Sequence, residues 1–129
     1  MLRQYKVRKF STDAKKDQLT DEMLLEIAND FLQLPNDQKN QYSLGAGLYK
    51  LRIASKTGRG KSGGSRSILA LKEGDSLIWL YIFDKNDKGN ISNTELADLK
   101  KLSGTLLSAT KDQMKLLIES GKLQEIKND

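Results

Sequence analysis

The 129-residue chain contains neither cysteine nor histidine. Without cysteine there can be no disulfides, zinc–thiolate sites or thiol nucleophiles. Without histidine there is no Ser-His-Asp triad, no paired-imidazole acid–base chemistry and no imidazole metal site. Any catalysis must therefore run on Lys, Arg, Tyr, Asp, Glu or the backbone. Long apolar runs are also missing. The longest, Leu77 to Phe83, is far too short to cross a bilayer. The opening residues Met1-Leu2-Arg3-Gln4-Tyr5-Lys6 lack the apolar core of a signal peptide. The expectation is a cytoplasmic protein with no membrane partner.

Acidic residues are absent from one long stretch, between Gln38 and Lys72, which carries eight cations: Lys39, Lys50, Arg52, Lys56, Arg59, Lys61, Arg66 and Lys72. The chain has 22 basic and 17 acidic residues, so the remaining 14 cations are outnumbered by the 17 anions and the whole positive surplus lies here. Inside the stretch, Gly58-Arg59-Gly60-Lys61-Ser62-Gly63-Gly64 mixes cations with glycines that let backbone approach a ligand closely. A phosphate backbone is the natural partner of such a surface. A charge run of this kind can also be plain solvated surface. Against that, Lys50 and Arg52 share one face of a strand and Arg66 opens the next one, so cations from two strands converge.

With 37% hydrophobic and 30% charged residues, the chain is read as a single globular domain over residues 1–129. Gln4 to Phe10 reads as a strand with a basic face, and Ser11 to Asp17 as a short polar helix. Thr20 is an N-cap followed by Asp21 and Glu22, with Met23, Leu24, Ile27, Ala28, Phe31, Leu32 and Leu34 at helical spacing. The only proline, Pro35, ends that helix. From Gly47 to Ser55 the pattern alternates, with Leu48, Lys50, Arg52 and Ala54 on one face and Tyr49, Leu51 and Ile53 on the other. Arg66–Lys72 and Leu77–Phe83 form a hairpin through Glu73-Gly74-Asp75, the second run being apolar enough for a central strand. The capping boxes Ser92-x-x-Glu95 and Thr110-x-x-Gln113 start two helices, and Gly121 stops the second. Leu123 to Ile126 is either a short edge strand or a frayed end. The fold class is α+β: a small antiparallel sheet of about four strands, with N-terminal helices packed on one face and one or two C-terminal helices.

Two strings imitate known binding loops. Gly60-Lys61-Ser62 suggests a P-loop, but Ser55 stands where its first glycine belongs, and Gly63-Gly64 and a strand follow instead of a helix. Asp84 to Glu95 resembles an EF-hand loop, but Lys88 occupies a ligand position and the preceding segment reads as a strand. A calcium-dependent interaction protein using residues 84–95 is kept as a minor alternative.

Leu48-Tyr49-Lys50-Leu51-Arg52-Ile53-Ala54-Ser55-Lys56, followed by Gly58-Arg59-Gly60-Lys61-Ser62-Gly63-Gly64-Ser65-Arg66-Ser67-Ile68, resembles the signature of RelE/HigB-type toxins of bacterial toxin–antitoxin pairs. Downstream, Phe83-Asp84-Lys85-Asn86, Asn90-Ile91-Ser92, Glu95 and Leu99-Lys100 match the same family. The resemblance implies a compact α+β domain that cleaves messenger RNA in the ribosome and is silenced by a cognate antitoxin of helix-turn-helix type. It further implies no metal and no cofactor. On the matching positions, Lys50, Arg52, Arg66 and Lys85 would be catalytic, with Arg66 as a phosphate clamp. Lys56, Arg59 and Lys61 would grip RNA backbone.

The implied reaction has the ribose 2′-OH attack phosphorus while the 5′-oxygen leaves. One group must take the 2′ proton, another must neutralise the phosphorane and a third must protonate the leaving oxygen. Crowded lysines can move protons near neutral pH, and arginine clamps phosphate oxygens while staying charged. Relatives often carry a C-terminal tyrosine or histidine in the site, and this chain has neither after Tyr81. The identities of acid and base are left open. A non-catalytic RNA- or ribosome-binding translation inhibitor is the alternative reading.

Overall fold

The computed structural model describes residues 2–53, 65–84 and 90–127. The described elements run β1 (Arg3–Val7), α1 (Arg8–Lys16), α2 (Asp21–Leu32), α3 (Asn36–Asn40), β2 (Ser43–Gly45), β3 (Leu48–Ile53), β4 (Ser65–Lys72), β5 (Ser76–Asp84), α4 (Asn93–Leu107), α5 (Lys111–Glu119) and β6 (Leu123–Ile126). The strands form one six-stranded sheet in the order β2-β3-β4-β5-β1-β6. The α+β class is as expected, with two differences. Short β2 and β6 extend the sheet beyond four strands, and β1 lies parallel to β5, which makes the sheet mixed. The apolar run of β5 follows from that position: it is interior to the sheet and covered on both faces.

Local signals set most boundaries. Thr20 Oγ1 accepts from Met23 N, and Ser92–Glu95 and Thr110–Gln113 both close reciprocal capping boxes. Gly121 follows α5 with φ +79°, and the Glu73-Gly74-Asp75 hairpin turns through Gly74 at φ +74°. β1 ends sooner than the sequence suggests: helix α1 begins at Arg8, so Phe10 is helical and fully buried. Pro35 ends α2, and the short α3 starts directly after it.

Two apolar clusters sandwich the sheet. On one face Phe10, Ala14, Leu24, Ala28 and Phe31 from α1 and α2 meet Leu51, Ile53, Leu69, Leu71, Leu77 and Trp79. On the other, Leu99 and Leu106 of α4 cover Leu48, Ile68, Ala70, Ile78, Leu80 and Phe83. Buried Lys6 ties the sheet to the first turn of α2, its Nζ donating to Asp21 Oδ1 at 2.7 Å. The basic face foreseen for β1 is thus an internal ion pair.

Helix α4 is anchored at the β2–β3 turn, where Gly45, Ala46 and Gly47 all have positive φ. Ser103 Oγ donates to Ala46 O at 2.7 Å, and a Cβ on Gly47 would stand 2.7 Å from Leu107 Cδ1. Gly47→Ala combines that overlap with a left-handed backbone (φ +80°). It is expected to cost about 1–3 kcal/mol, read as a lower urea midpoint with an unchanged slope.

Candidate active site

Register places the basic residues. Across β3, β4 and β5, Lys50 lies opposite Ile68, which lies opposite Tyr81; in the next row Arg52 lies opposite Arg66, which lies opposite Phe83. Residues two apart on a strand share a face and sit about 6.6–6.8 Å apart, with strands about 4.8 Å apart. Cations hold three of the positions in these two rows, and two aromatics line the β5 side. Arg52 and Arg66 are directly opposed in the register of β3 and β4, which concentrates two cations at one position of the sheet.

The aromatics reach this face through a bulge. Register shifts between Ile68 and Leu69, so that Ile68 pairs with Tyr81 while Leu69 pairs with Trp79, leaving Leu80 as an extra residue on β5. Before the bulge Trp79 faces α1 and α2; after it Tyr81 and Phe83 pack with the α4-side cluster. Strict alternation would have put Tyr81 beside Trp79. The Tyr81 and Phe83 rings instead stand together on the α4 side, 5.8 Å apart and tilted by 33°.

The N-terminus of α4 closes the cluster. Lys50 Nζ donates to Asn90 Oδ1 at 3.3 Å, and that oxygen also accepts from Ile91 N at 2.9 Å. Tyr81 Oη donates to Glu95 Oε2 at 3.0 Å, while Glu95 Oε1 accepts from Ser92 N at 2.9 Å. The capping box therefore fixes a carboxylate, and the carboxylate fixes a phenol, beside three cations. Tyr81, Asn90 and Glu95 were not among the expected site residues. Tyr81 reads as core in an apolar run, and Asn90 and Glu95 read as turn and cap. The available signal was a hydroxyl-bearing aromatic in a central strand followed by a capping box.

Of the expected residues, half-buried Lys50, exposed Arg52 and half-buried Arg66 occupy adjoining rows of β3 and β4. Among the described residues β2 pairs only with Leu48 and Tyr49, and no strand pairs with Arg52 on that side; Arg52 also borders a groove beside Asp30 and Phe31 of α2. Lys56, Arg59, Lys61 and Lys85 lie outside the described residues, as does the glycine-rich string that imitates a P-loop. Two cations of the basic stretch do not join the site. Lys39 is buried and its Nζ donates to Glu73 Oε2 at 3.5 Å, while Lys72 sits at the opposite end of β4 from Arg66.

The resemblance of residues 84–95 to a calcium loop weakens here. The entering segment is strand β5, and both oxygens of Glu95 accept protein hydrogen bonds. Among the described residues no group of three or more Asp, Glu, His or Cys could hold a metal ion. No helix among them is long and apolar enough to cross a membrane.

The structure defines an α+β domain whose sheet lies between two helical layers, with Lys50, Arg52 and Arg66 in adjoining rows and Tyr81, Phe83 and the Glu95 carboxylate at their edge. The family model described as the RelE toxin of the RelE/RelB toxin–antitoxin system matches residues 2–126. The chain belongs to that family: it is a RelE-type toxin of a toxin–antitoxin system, and proteins of this kind pair with an antitoxin. No curated protein sequence matches it significantly.

Proposed function

We propose that this toxin is an endoribonuclease that cuts messenger RNA on the ribosome without a metal ion and thereby stops translation. The observation that carries the reading is the opposed pair Arg52 and Arg66, with Lys50 in the adjoining row of the same face. Such a trio is poorly suited to an apolar partner and well suited to a phosphodiester whose charge grows during reaction. Arg66 and Arg52 hold the non-bridging oxygens through their planar forks. Lys50, oriented by Asn90, keeps further N–H donors for the scissile group. Lys56, Arg59, Lys61 and Lys85 are assigned from sequence alone: the first three to RNA backbone contacts, Lys85 to the catalytic group. The cognate antitoxin silences the protein by laying an acidic segment over the basic face.

Induced expression in a bacterium, with mapping of new messenger-RNA ends, tests the reading. Wild type is expected to arrest growth and create ends within coding regions, carrying 2′,3′-cyclic phosphate or 3′-phosphate. Arg66→Ala is expected to remove both effects while the protein stays folded by circular dichroism. Arrest without new ends would replace the nuclease by a translation inhibitor that only binds.

A further inference from the structure

A groove of about 330 Å³ lies between α2 and β3, and its lining combines features that fit one kind of ligand. Ile27, Leu34 and Leu51 give it apolar surface. Tyr42, the one exposed aromatic side chain among the described residues, also lines it, set edge-on to Phe31 with ring centroids 6.2 Å apart. Asp30 and Arg52 line the same groove without forming an ion pair, and Asp30 has no hydrogen-bond partner among the described residues. Two of these residues are tied to the candidate active site. Arg52 belongs to its cationic rows, and the Tyr42 carbonyl accepts from Lys50 N at 2.9 Å, which fixes Tyr42 to the strand that carries Lys50.

We infer that this groove is a nucleobase subsite: it seats the base next to the phosphate held by Arg52, with Tyr42 stacking on that base and Asp30 selecting guanine. The inference rests on the endoribonuclease reading above and names what the site recognises beside the phosphate. An ionised carboxylate only accepts hydrogen bonds. Guanine alone carries two neighbouring donors on its Watson–Crick edge, N1–H and N2–H, which match the two carboxylate oxygens. Cytosine and adenine offer one donor beside a ring-nitrogen acceptor, and uracil one donor between two carbonyl oxygens. Each of these brings an acceptor against the carboxylate, a mismatch that guanine avoids. Reading an unstacked base by that edge while it lies on an aromatic ring is how proteins recognise single-stranded RNA.

Charge decides which part of the RNA enters. Helix α2 carries four acidic residues and no basic one, so a phosphate is repelled from its side of the groove and stays with Arg52 and Arg66. A base is uncharged and brings donors, so it crosses to the acidic side without that penalty. The reach is short, because Arg52 itself borders the groove and one nucleotide spans both subsites. The same charge argues against the antitoxin as occupant. An acidic protein segment suits the cationic rows and would meet like charge at α2.

Binding of two 2′-O-methyl pentanucleotides, U-U-G-U-U and U-U-U-U-U, tests the inference at fixed salt. The blocked 2′-oxygen prevents cleavage, so affinity is read alone. Wild type is expected to prefer the guanine strand by about tenfold. Asp30→Asn should bring that ratio close to one, whereas Glu22→Gln, which removes the same charge two turns earlier on α2, should leave it in place. Tyr42→Ala should weaken the guanine strand by about fivefold or more, and Tyr42→Phe should keep the ring and the affinity. Asp30 and Tyr42 are exposed, and circular dichroism confirms that each variant is folded. In expressing cells, new messenger-RNA ends should carry guanine beside the cut and lose that bias in Asp30→Asn. Equal binding of the two strands by wild type, or a ratio unmoved by Asp30→Asn, would overturn the inference while leaving the nuclease intact. A Tyr42→Ala defect confined to antitoxin binding would overturn it too, making the groove a protein seat. A guanine preference in binding without any new ends would support the subsite and overturn the nuclease reading.

Discussion

Arg66→Lys is expected to slow RNA cleavage by about 10²-fold although the charge is unchanged, and Arg66→Ala by about 10³-fold, the range seen when one donor to a developing oxyanion is lost. The expectation follows from where the residue sits. Arg66 lies between Arg52 and Phe83 in one row of the sheet, with backbone on both sides fixed by strand pairing. A guanidinium there offers two parallel N–H donors in a plane, matched to two oxygens of one phosphate, whereas an ammonium offers a point charge. Binding in the ground state should suffer less than the rate, because Arg52 and Lys50 still draw the phosphate in. The check is to measure the single-turnover rate and RNA affinity separately at fixed salt, since affinity alone varies steeply with ionic strength. Equal rates for arginine and lysine would reduce Arg66 to one charge among several and would remove the clamp from the mechanism.

The convergence of Lys50, Arg52 and Arg66 could be read directly from residue order, because period-two alternation and one hairpin suffice to put them on a common face. Caps were equally readable, since Thr20, Ser92 and Thr110 each act within four residues. What escaped the sequence depends on distant pairing. Nothing local tells that β1 will lie parallel to β5, or that Lys6 will be buried against Asp21. Lys39 looks like part of the cationic surface until the fold brings Glu73 beside it, 34 residues further on. Tyr81 shows the limit most clearly. In the run Leu77 to Phe83 every residue is apolar or aromatic, so no alternation marks the extra residue at Leu80. A one-residue shift in register exchanges the two faces of a strand, and this one placed Tyr81 and Phe83 on the α4-side face, where Phe83 joins the apolar cluster. Its purpose becomes visible only with α4 in place, because Glu95 is the partner that the re-aimed phenol meets.

Trp79→Ala should destabilise the domain by about 3–5 kcal/mol, a large share of the roughly 5–15 kcal/mol that holds a domain folded. Trp79 is fully buried, stacks on Phe10 at 5.6 Å, and is the only tryptophan of the chain. Truncation would open a cavity between β5 and α1 at the centre of the larger apolar cluster. Trp79→Phe should cost much less, about 1–2 kcal/mol. It keeps an aromatic against Phe10 and removes an indole N–H that has no hydrogen-bond partner among the described residues, which offsets part of the lost contact. Urea unfolding followed by circular dichroism compares all three proteins, because fluorescence would vanish with the substituted residue. The site should register the change as well. Trp79 is the last residue of β5 before the bulge and is buried on the α1 side, so loss of the indole is expected to loosen the turn that brings Tyr81 to Glu95. Folded Trp79→Phe should therefore keep nearly the wild-type cleavage rate. Folded Trp79→Ala, held below its melting temperature, should lose rate beyond its unfolded fraction. A cleavage rate that merely tracked the folded fraction in Trp79→Ala would mean that the bulge is set by the β4–β5 pairing alone, with the indole serving stability and nothing else.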